Sequence, residues 1–179
     1  MKTFITIIAT FVLLQSASAQ FKSAGLLAGA GVTIVDVSKV LEPYELSDWN
    51  TYSMMFKGFA EYSIADDQAI GLEAGTNRLY YWEYPALPYS WYNWRTEWTT
   101  NVVAYFLKDF GSRFYLQSGV GLHIFHNGTA AGLMAGGGAQ FYLSEQFVIP
   151  VFLRVEPIFG AETPVAINIG TGLKYNFQK

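Results

Sequence analysis

The chain has 179 residues, of which 51% are hydrophobic and only 14% are charged, with a formal net charge of −3. It has no cysteine, which excludes disulfides and thiolate metal sites. The mildly acidic balance and the lack of a basic patch argue against nucleic acid as a partner.

The N-terminal segment has the layout of a secretory signal peptide. A lysine precedes the apolar run from Phe4 to Leu14, and Ala17-Ser18-Ala19 supplies a small-x-small cleavage site. The run is shorter than the ~20 apolar residues that a spanning helix needs, which disfavours a membrane anchor. We predict cleavage after Ala19, so that residues 1–19 are the signal peptide and residues 20–179 form one domain.

No other segment is long and apolar enough to be a spanning helix, although half of the residues are hydrophobic. Apolar residues that are spread by alternation indicate β-strands instead. Each predicted strand reaches the ~9–11 residues that a tilted strand needs to cross a bilayer. The eight predicted strands are Gly25–Val37, Ser53–Ile64, Ala69–Tyr84, Tyr89–Leu107, Arg113–His126, Thr129–Leu143, Phe147–Phe159 and Val165–Phe177.

The connections between these strands alternate in character. Those after strands two, four and six are short and charged, which suits the periplasmic side of an outer membrane. Those after strands one and three are longer or contain proline, which suits the outside. Between strands five and six, Asn127-Gly128 predicts a tight hairpin turn. The even strand number places both termini in the periplasm.

The last predicted strand has one apolar face and one polar face. From Val165 to Phe177, apolar residues alternate without a break with small or polar ones, including Gly170, Gly172 and Lys174. With the export signal, this pattern predicts an all-β fold, an eight-stranded antiparallel up-and-down transmembrane β-barrel with a side-chain-filled lumen. The alternative is a soluble β-sandwich on which the same charges form an ordinary wet surface.

Charge placement tests the barrel hypothesis, because a lipid-facing Arg or Lys at the midplane costs about 2–4 kcal/mol. The remaining charges of the mature chain are expected in turns, loops, tails or strand ends. Eight strands leave room only for side chains, so the inward charges should pair and leave no continuous pore. The four cations and four anions predicted to face inward are Lys57, Glu61, Glu73, Arg95, Glu97, Arg154, Glu156 and Lys174.

Aromatic residues concentrate around the outer end of the hairpin between strands three and four. One interpretation is an interfacial girdle, since Trp and Tyr rings prefer the headgroup zone. The other adds a surface that projects beyond the membrane and binds sugar rings, lipopolysaccharide or a partner protein. This aromatic cluster consists of Tyr80, Tyr81, Trp82, Tyr84, Tyr89, Trp91, Tyr92, Trp94 and Trp98.

The two histidines do not predict a metal site. His123 is expected to face inward and His126 to lie near the outer rim, and no third ligand is in register with them. The rim histidine invites comparison with barrel lipid A deacylases, which carry a serine two residues later. Gly128 occupies that position here, so we predict neither an enzyme nor a cofactor.

The chain resembles the small eight-stranded outer-membrane β-barrel proteins of the OmpX/OmpA-barrel type. The junction Ala17-Ser18-Ala19-Gln20 and the ending GLKYNF resemble those of Bacteroidetes-type outer-membrane barrel proteins. Tyr175 and Phe177 resemble the terminal signal that the barrel assembly machinery recognises. The resemblance implies the outer membrane of a Gram-negative bacterium. It also implies as partners the membrane lipids and lipopolysaccharide, the assembly machinery during insertion, and an envelope protein.

A fold shared this widely does not select a function. The leading hypothesis is a non-enzymatic structural or interaction platform that uses the hairpin of strands three and four and the Asp36–Tyr52 loop. The alternatives are an accessory subunit of a secretion or assembly complex, a narrow channel for small solutes, and a lipid-modifying enzyme. Planar-bilayer conductance tests for a channel, and mass spectrometry of lipid A tests for an enzyme.

Overall fold

The structure, a computed structural model, is a closed barrel in which eight antiparallel strands follow one another in chain order and β8 pairs with β1. It describes residues 21–34, 52–83, 93–126, 128–159 and 164–177, and only the backbone of 80–83 and 93–96. The strands are β1 (Phe21–Ile34), β2 (Tyr52–Ala65), β3 (Gln68–Glu83), β4 (Asn93–Phe110), β5 (Phe114–Phe125), β6 (Gly128–Tyr142), β7 (Phe147–Phe159) and β8 (Val165–Asn176).

The prediction of an eight-stranded antiparallel up-and-down barrel is therefore confirmed. Within the described ranges, no helix is long and apolar enough to cross a membrane. The predicted signal peptide, its cleavage site and most of the 36–52 loop lie outside the described residues. They remain predictions.

Strand boundaries differ from the predicted ones where cross-strand pairing extends the ladder. β1 begins four residues early, at Phe21, because that residue pairs with Tyr62 of β2. β4 continues to Phe110, which pairs with Phe114, so the next turn is 111–113 rather than 108–112. Gly111 adopts a positive φ of 65° in this turn, a conformation that favours glycine.

The turn between β5 and β6 lies one residue earlier than the sequence predicts. Phe125 pairs with Gly128, so Gly128 belongs to β6 and is not a turn residue. His126 takes the turn position beside Asn127, which is itself outside the described residues. The Glu97 carboxylate accepts the backbone N–H of His126 at 2.5 Å, so a side chain of β4 holds the turn at this register.

The barrel has two distinct ends. The turn end carries the short connections after β2, β4 and β6 together with the start of β1 and the end of β8. The loop end carries the other connections. β3 and β4 form a sixteen-pair ladder that continues at the loop end beyond their pairing with β2 and β5. This extension is the projecting hairpin.

The wall of the barrel is apolar outside and polar inside. Large hydrophobic side chains point outward all round it, as Leu26, Phe114 and Ile169 do with 61–69% of their surface exposed. Charged side chains such as Glu156 and Lys57 point inward and are almost fully buried. This is the reverse of a water-soluble fold, because alternation along each strand sends apolar residues out and polar ones in.

Candidate functional site

A network of four charges crosses the middle of the lumen. The Lys57 ammonium on β2 donates to Glu73 and to Glu156, each at 2.8 Å. Arg154 donates to the other oxygen of Glu73 at 2.6 Å. With its amide oxygen turned toward Lys57, Asn101 supplies a third acceptor at 3.0 Å. These side chains from β2, β3, β4 and β7 are buried and balance in charge, and their contacts link β2 and β3 to β7 across the lumen.

A second ionic group lies nearer the turn end. Lys174 of β8 donates to Glu61 of β2 at 2.7 Å, and both side chains are buried. The Ser23 hydroxyl donates to the same carboxylate at 2.5 Å, and the Tyr105 hydroxyl donates to it at 3.2 Å. The carboxylate therefore has three donors from β1, β4 and β8, which compensates its removal from water.

Polar contacts also close the turn end of the lumen. Lys22 on β1 pairs with Asp109 on β4 at 2.5 Å, and the Gln140 amide on β6 donates to the same carboxylate at 2.9 Å. In the adjacent turns, the Lys108 ammonium donates to Asp67 and holds the pKa of that exposed carboxyl below its usual value.

Apolar side chains fill the space around the ionic groups. A small cluster lies toward the loop end, where Leu79, Ile158 and Ala166 are buried against Phe125 and Ala130. The lumen is therefore filled with side chains, as predicted. The larger cluster consists of Leu27, Met55, Phe59, Ala69, Val103, Tyr105, Leu107, Tyr115, Met134 and Phe152.

The structure brings together most of the charges that were predicted to face inward. Glu97 lies apart from the lumen networks, at the loop end, where its carboxylate contacts Nδ1 of His126 at 3.2 Å. The side chain of Arg95 lies outside the described residues. The six buried members of the predicted set are Lys57, Glu61, Glu73, Arg154, Glu156 and Lys174.

The aromatic cluster of the projecting hairpin is only partly visible. Trp98 faces outward with 52% of its surface exposed, and its ring stacks on Phe56 across β3, with centroids 6.3 Å apart. The backbone at 80–82 and 94 belongs to the hairpin ladder, but the side chains are not described. Tyr84, Tyr89, Trp91 and Tyr92 lie outside the described residues. The girdle, with or without a binding surface, remains a prediction for them.

The two aromatic residues of the predicted assembly signal belong to a ring cluster at the turn end. Tyr175 contacts Phe147 and Phe177 edge-on, with centroids 5.2 and 5.0 Å apart. Phe177 also contacts the Phe21 ring at 5.7 Å and donates its backbone N–H to the Lys22 carbonyl. Phe177, which follows β8, is thereby joined to β1. Recognition by an assembly machinery remains a prediction.

The two histidines lie in different environments. His123 is buried in the lumen, where its Nε2 would lie 2.8 Å from a Cβ added at Gly132, whereas the His126 side chain is mostly exposed at the loop end. In the part of the chain that is described, no three His, Cys, Asp or Glu residues are placed to hold a metal.

Arg78 is the residue that the sequence interpretation missed. Every charge outside the eight inward positions is expected in a turn, loop, tail or strand end, yet Arg78 lies inside β3 and faces outward. Its Cα partners are Met54 and Trp98, both exposed on the outer wall. The sequence does indicate this orientation. Glu73 faces inward, and strict alternation along the strand places position 78, five residues later, on the opposite face.

No protein-family model and no curated protein sequence matches the chain. The fold is similar to that of the Neisserial surface protein A, NspA, with a TM-score of 0.53 and 12% identity over 87% of this chain and 96% of that one. The similarity is weaker to Ail, the attachment invasion locus protein of Yersinia pestis (TM-score 0.48, 15% identity, 87% and 98% covered). It is also weaker to the N-terminal β-barrel domain of Pseudomonas aeruginosa OprF (TM-score 0.46, 14% identity, 88% and 99% covered). At this identity the NspA likeness shows the fold alone.

Proposed function

We propose that this protein is an integral barrel of a Gram-negative outer membrane and serves a structural or interaction role at the cell surface. One observation carries the proposal, which is that every strand places large apolar side chains on the outer wall while six charged side chains are buried inside. Such a wall is stable only in contact with lipid, because exposing this much apolar surface to water is unfavourable.

The height of the apolar wall supports membrane insertion. On β4, the outward-facing Trp98 and Phe110 are twelve residues apart. At ~3.3 Å per residue and a tilt of ~40°, they are separated by about 30 Å along the barrel axis. This span is close to the ~25 Å apolar band of outer-membrane barrels, so the two rings lie near its two edges.

The projecting hairpin supports the interaction role. β2 stops pairing with β3 at Arg78, and five further β3–β4 pairs follow, ending at Glu83 and Asn93. At ~3.3 Å per residue, these pairs extend the ladder about 15 Å past Trp98, beyond the apolar band. Two strands without further neighbours among the described residues are marginal by themselves. A partner or a covering loop would stabilise them.

The geometry supports the other candidate functions less well. The ion pairs across the lumen argue against a channel for small solutes. The rim histidine is paired with a carboxylate, but the position that would carry a nucleophile is Gly128, which argues against a lipid-modifying enzyme. An accessory subunit of a secretion or assembly complex would use the same hairpin. This accessory role is the second candidate function. For both roles, the proposed contacts are envelope proteins, lipopolysaccharide and membrane lipids.

The first prediction concerns location and closure. Outer membranes from cells that express the protein should contain it, and it should migrate differently on a denaturing gel before and after boiling. The physical reason is that a closed barrel resists detergent until heat breaks its ladder. A soluble periplasmic protein without a mobility shift would contradict membrane insertion and would favour the β-sandwich interpretation.

The second prediction concerns the projecting hairpin. Replacing Trp82, Trp91 and Trp94 together by alanine should remove a chemically cross-linked neighbour or a glycan contact on the cell surface, because these rings supply apolar contact area. The gel mobility shift should persist, because the lumen networks are untouched. An unchanged set of cross-links and glycan contacts would reject the hairpin as the binding surface.

A further inference from the structure

Arg78 is a cation on an apolar wall and has no charged partner in the described part of the chain. Its two Cα partners, Met54 and Trp98, are 40% and 52% exposed and offer no anionic group. Among the described residues, no ion pair or hydrogen bond involves the Arg78 side chain. The buried cations of the lumen, Lys57, Arg154 and Lys174, each have a carboxylate partner. Because Arg78 faces outward and no described side chain pairs with it, a group outside the protein can supply the counter-charge.

The position of Arg78 along the barrel axis indicates which part of the membrane it contacts. Arg78 pairs directly with Trp98, which lies about 30 Å from Phe110 along the barrel axis and so marks the loop-end edge of the apolar band. A cation on the lipid face is tolerated at such an edge and is costly at the midplane. The anions available at that depth are the headgroups of the outer leaflet.

The chemistry of the side chain selects among headgroups. A guanidinium presents five N–H donors in a planar fork that matches the oxygens of a phosphate, and it stays charged at every physiological pH. Beside it, the stacked rings of Phe56 and Trp98 form a flat apolar surface across β3, with 54% and 52% exposure. A cationic fork on the same outer face as an apolar ring pair suits a lipid that carries a phosphate at its headgroup.

We propose that Arg78, with Met54, Phe56 and Trp98 around it, binds the phosphate of an outer-leaflet glycolipid of the lipid A type. The inference rests on the proposed outer-membrane location. It adds to that proposal a specific lipid site on the outer wall. The site lies at the base of the projecting hairpin, so a bound lipid would fix the height of the hairpin above the membrane.

The test compares lipid retention by four forms of the full-length barrel. Each form is refolded into bilayers that contain lipid A or chemically dephosphorylated lipid A. The four forms are wild type, Arg78→Gln, Arg78→Lys and Arg113→Gln. Retained lipid is then measured by native mass spectrometry after detergent extraction. Arg113→Gln is the matched control, because it removes an exposed cation from a turn at the opposite end.

Wild type should retain lipid A about 10-fold better than the dephosphorylated lipid, as expected for the loss of one charge-assisted hydrogen-bonded contact. Arg78→Gln should lose this preference, Arg78→Lys should keep part of it, and Arg113→Gln should keep all of it. Equal retention of both lipids by wild type, or equal loss in Arg78→Gln and Arg113→Gln, would overturn the lipid site. A gel mobility shift in every form separates that failure from a failure of membrane insertion.

Discussion

Replacing Lys57 by methionine is expected to destabilise the barrel by about 3–5 kcal/mol, because it breaks a buried ionic network. Lys57 is the only cation in contact with Glu156 and one of two in contact with Glu73 among the described residues. Its loss leaves an excess anion among side chains that are almost fully buried. The free energy of unfolding should be measured by urea titration of the refolded protein, with the gel mobility shift as the readout of folding.

A double variant separates lost charge balance from lost packing. In Lys57→Met with Glu156→Gln, the remaining Arg154–Glu73 pair is neutral, and the glutamine can still accept from the Asn77 amide. Most of the stability should return, because replacing a buried ion pair with neutral side chains of similar size is often close to neutral. A double variant as unstable as Lys57→Met would show that the charge balance is not what Lys57 provides.

An exposed cation provides the external control. Lys108 pairs with Asp67 at the turn end, where both side chains keep much of their solvent exposure. Lys108→Met should therefore change stability far less than Lys57→Met, because an exposed ion pair gains little over hydration. Equal effects of the two substitutions would mean that the lumen behaves as a hydrated surface.

Replacing Gly31 by valine is expected to destabilise the barrel by about 3 kcal/mol through overpacking at the junction of β1 and β8. A Cβ at this position would overlap the Ile167 carbonyl oxygen and lie 2.8 Å from the Asn168 Cα. Both are backbone atoms of the neighbouring strand, so they can move only if the ladder that closes the barrel is distorted. Urea titration with the mobility shift as readout measures the effect.

Gly58 is the matched control for this substitution. It faces outward on β2, and a Cβ there would have its nearest neighbour, the Leu26 Cδ2, at 3.8 Å. Gly58→Ala should be neutral or stabilise the protein by about 0.4–1 kcal/mol, because alanine restricts the unfolded chain. If Gly31→Val and Gly58→Ala have the same effect, close packing along β1 and β8 does not limit stability.

Much of this architecture follows from the sequence by itself. The alternation of Val165–Asn176 assigns an apolar and a polar face without knowledge of any neighbour, because successive side chains of a strand point to opposite sides. The same rule predicted the burial of Lys57, Glu73 and Arg154, and the strand bounds of β7 coincide with the predicted ones. These features depend only on the local periodicity of apolar and polar residues, which can be read from the sequence.

The tertiary structure decided which residues meet. Lys57 and Glu156 are separated by 99 positions, and only the closure and register of the barrel bring their charged groups to 2.8 Å. Likewise, the position of Gly128 within β6 follows from pairing between strands and not from the Asn-Gly signal. The sequence determined the face on which each side chain lies, whereas pairing between distant strands determined its depth in the barrel and its partner. Arg78 became a candidate lipid site only once both were known.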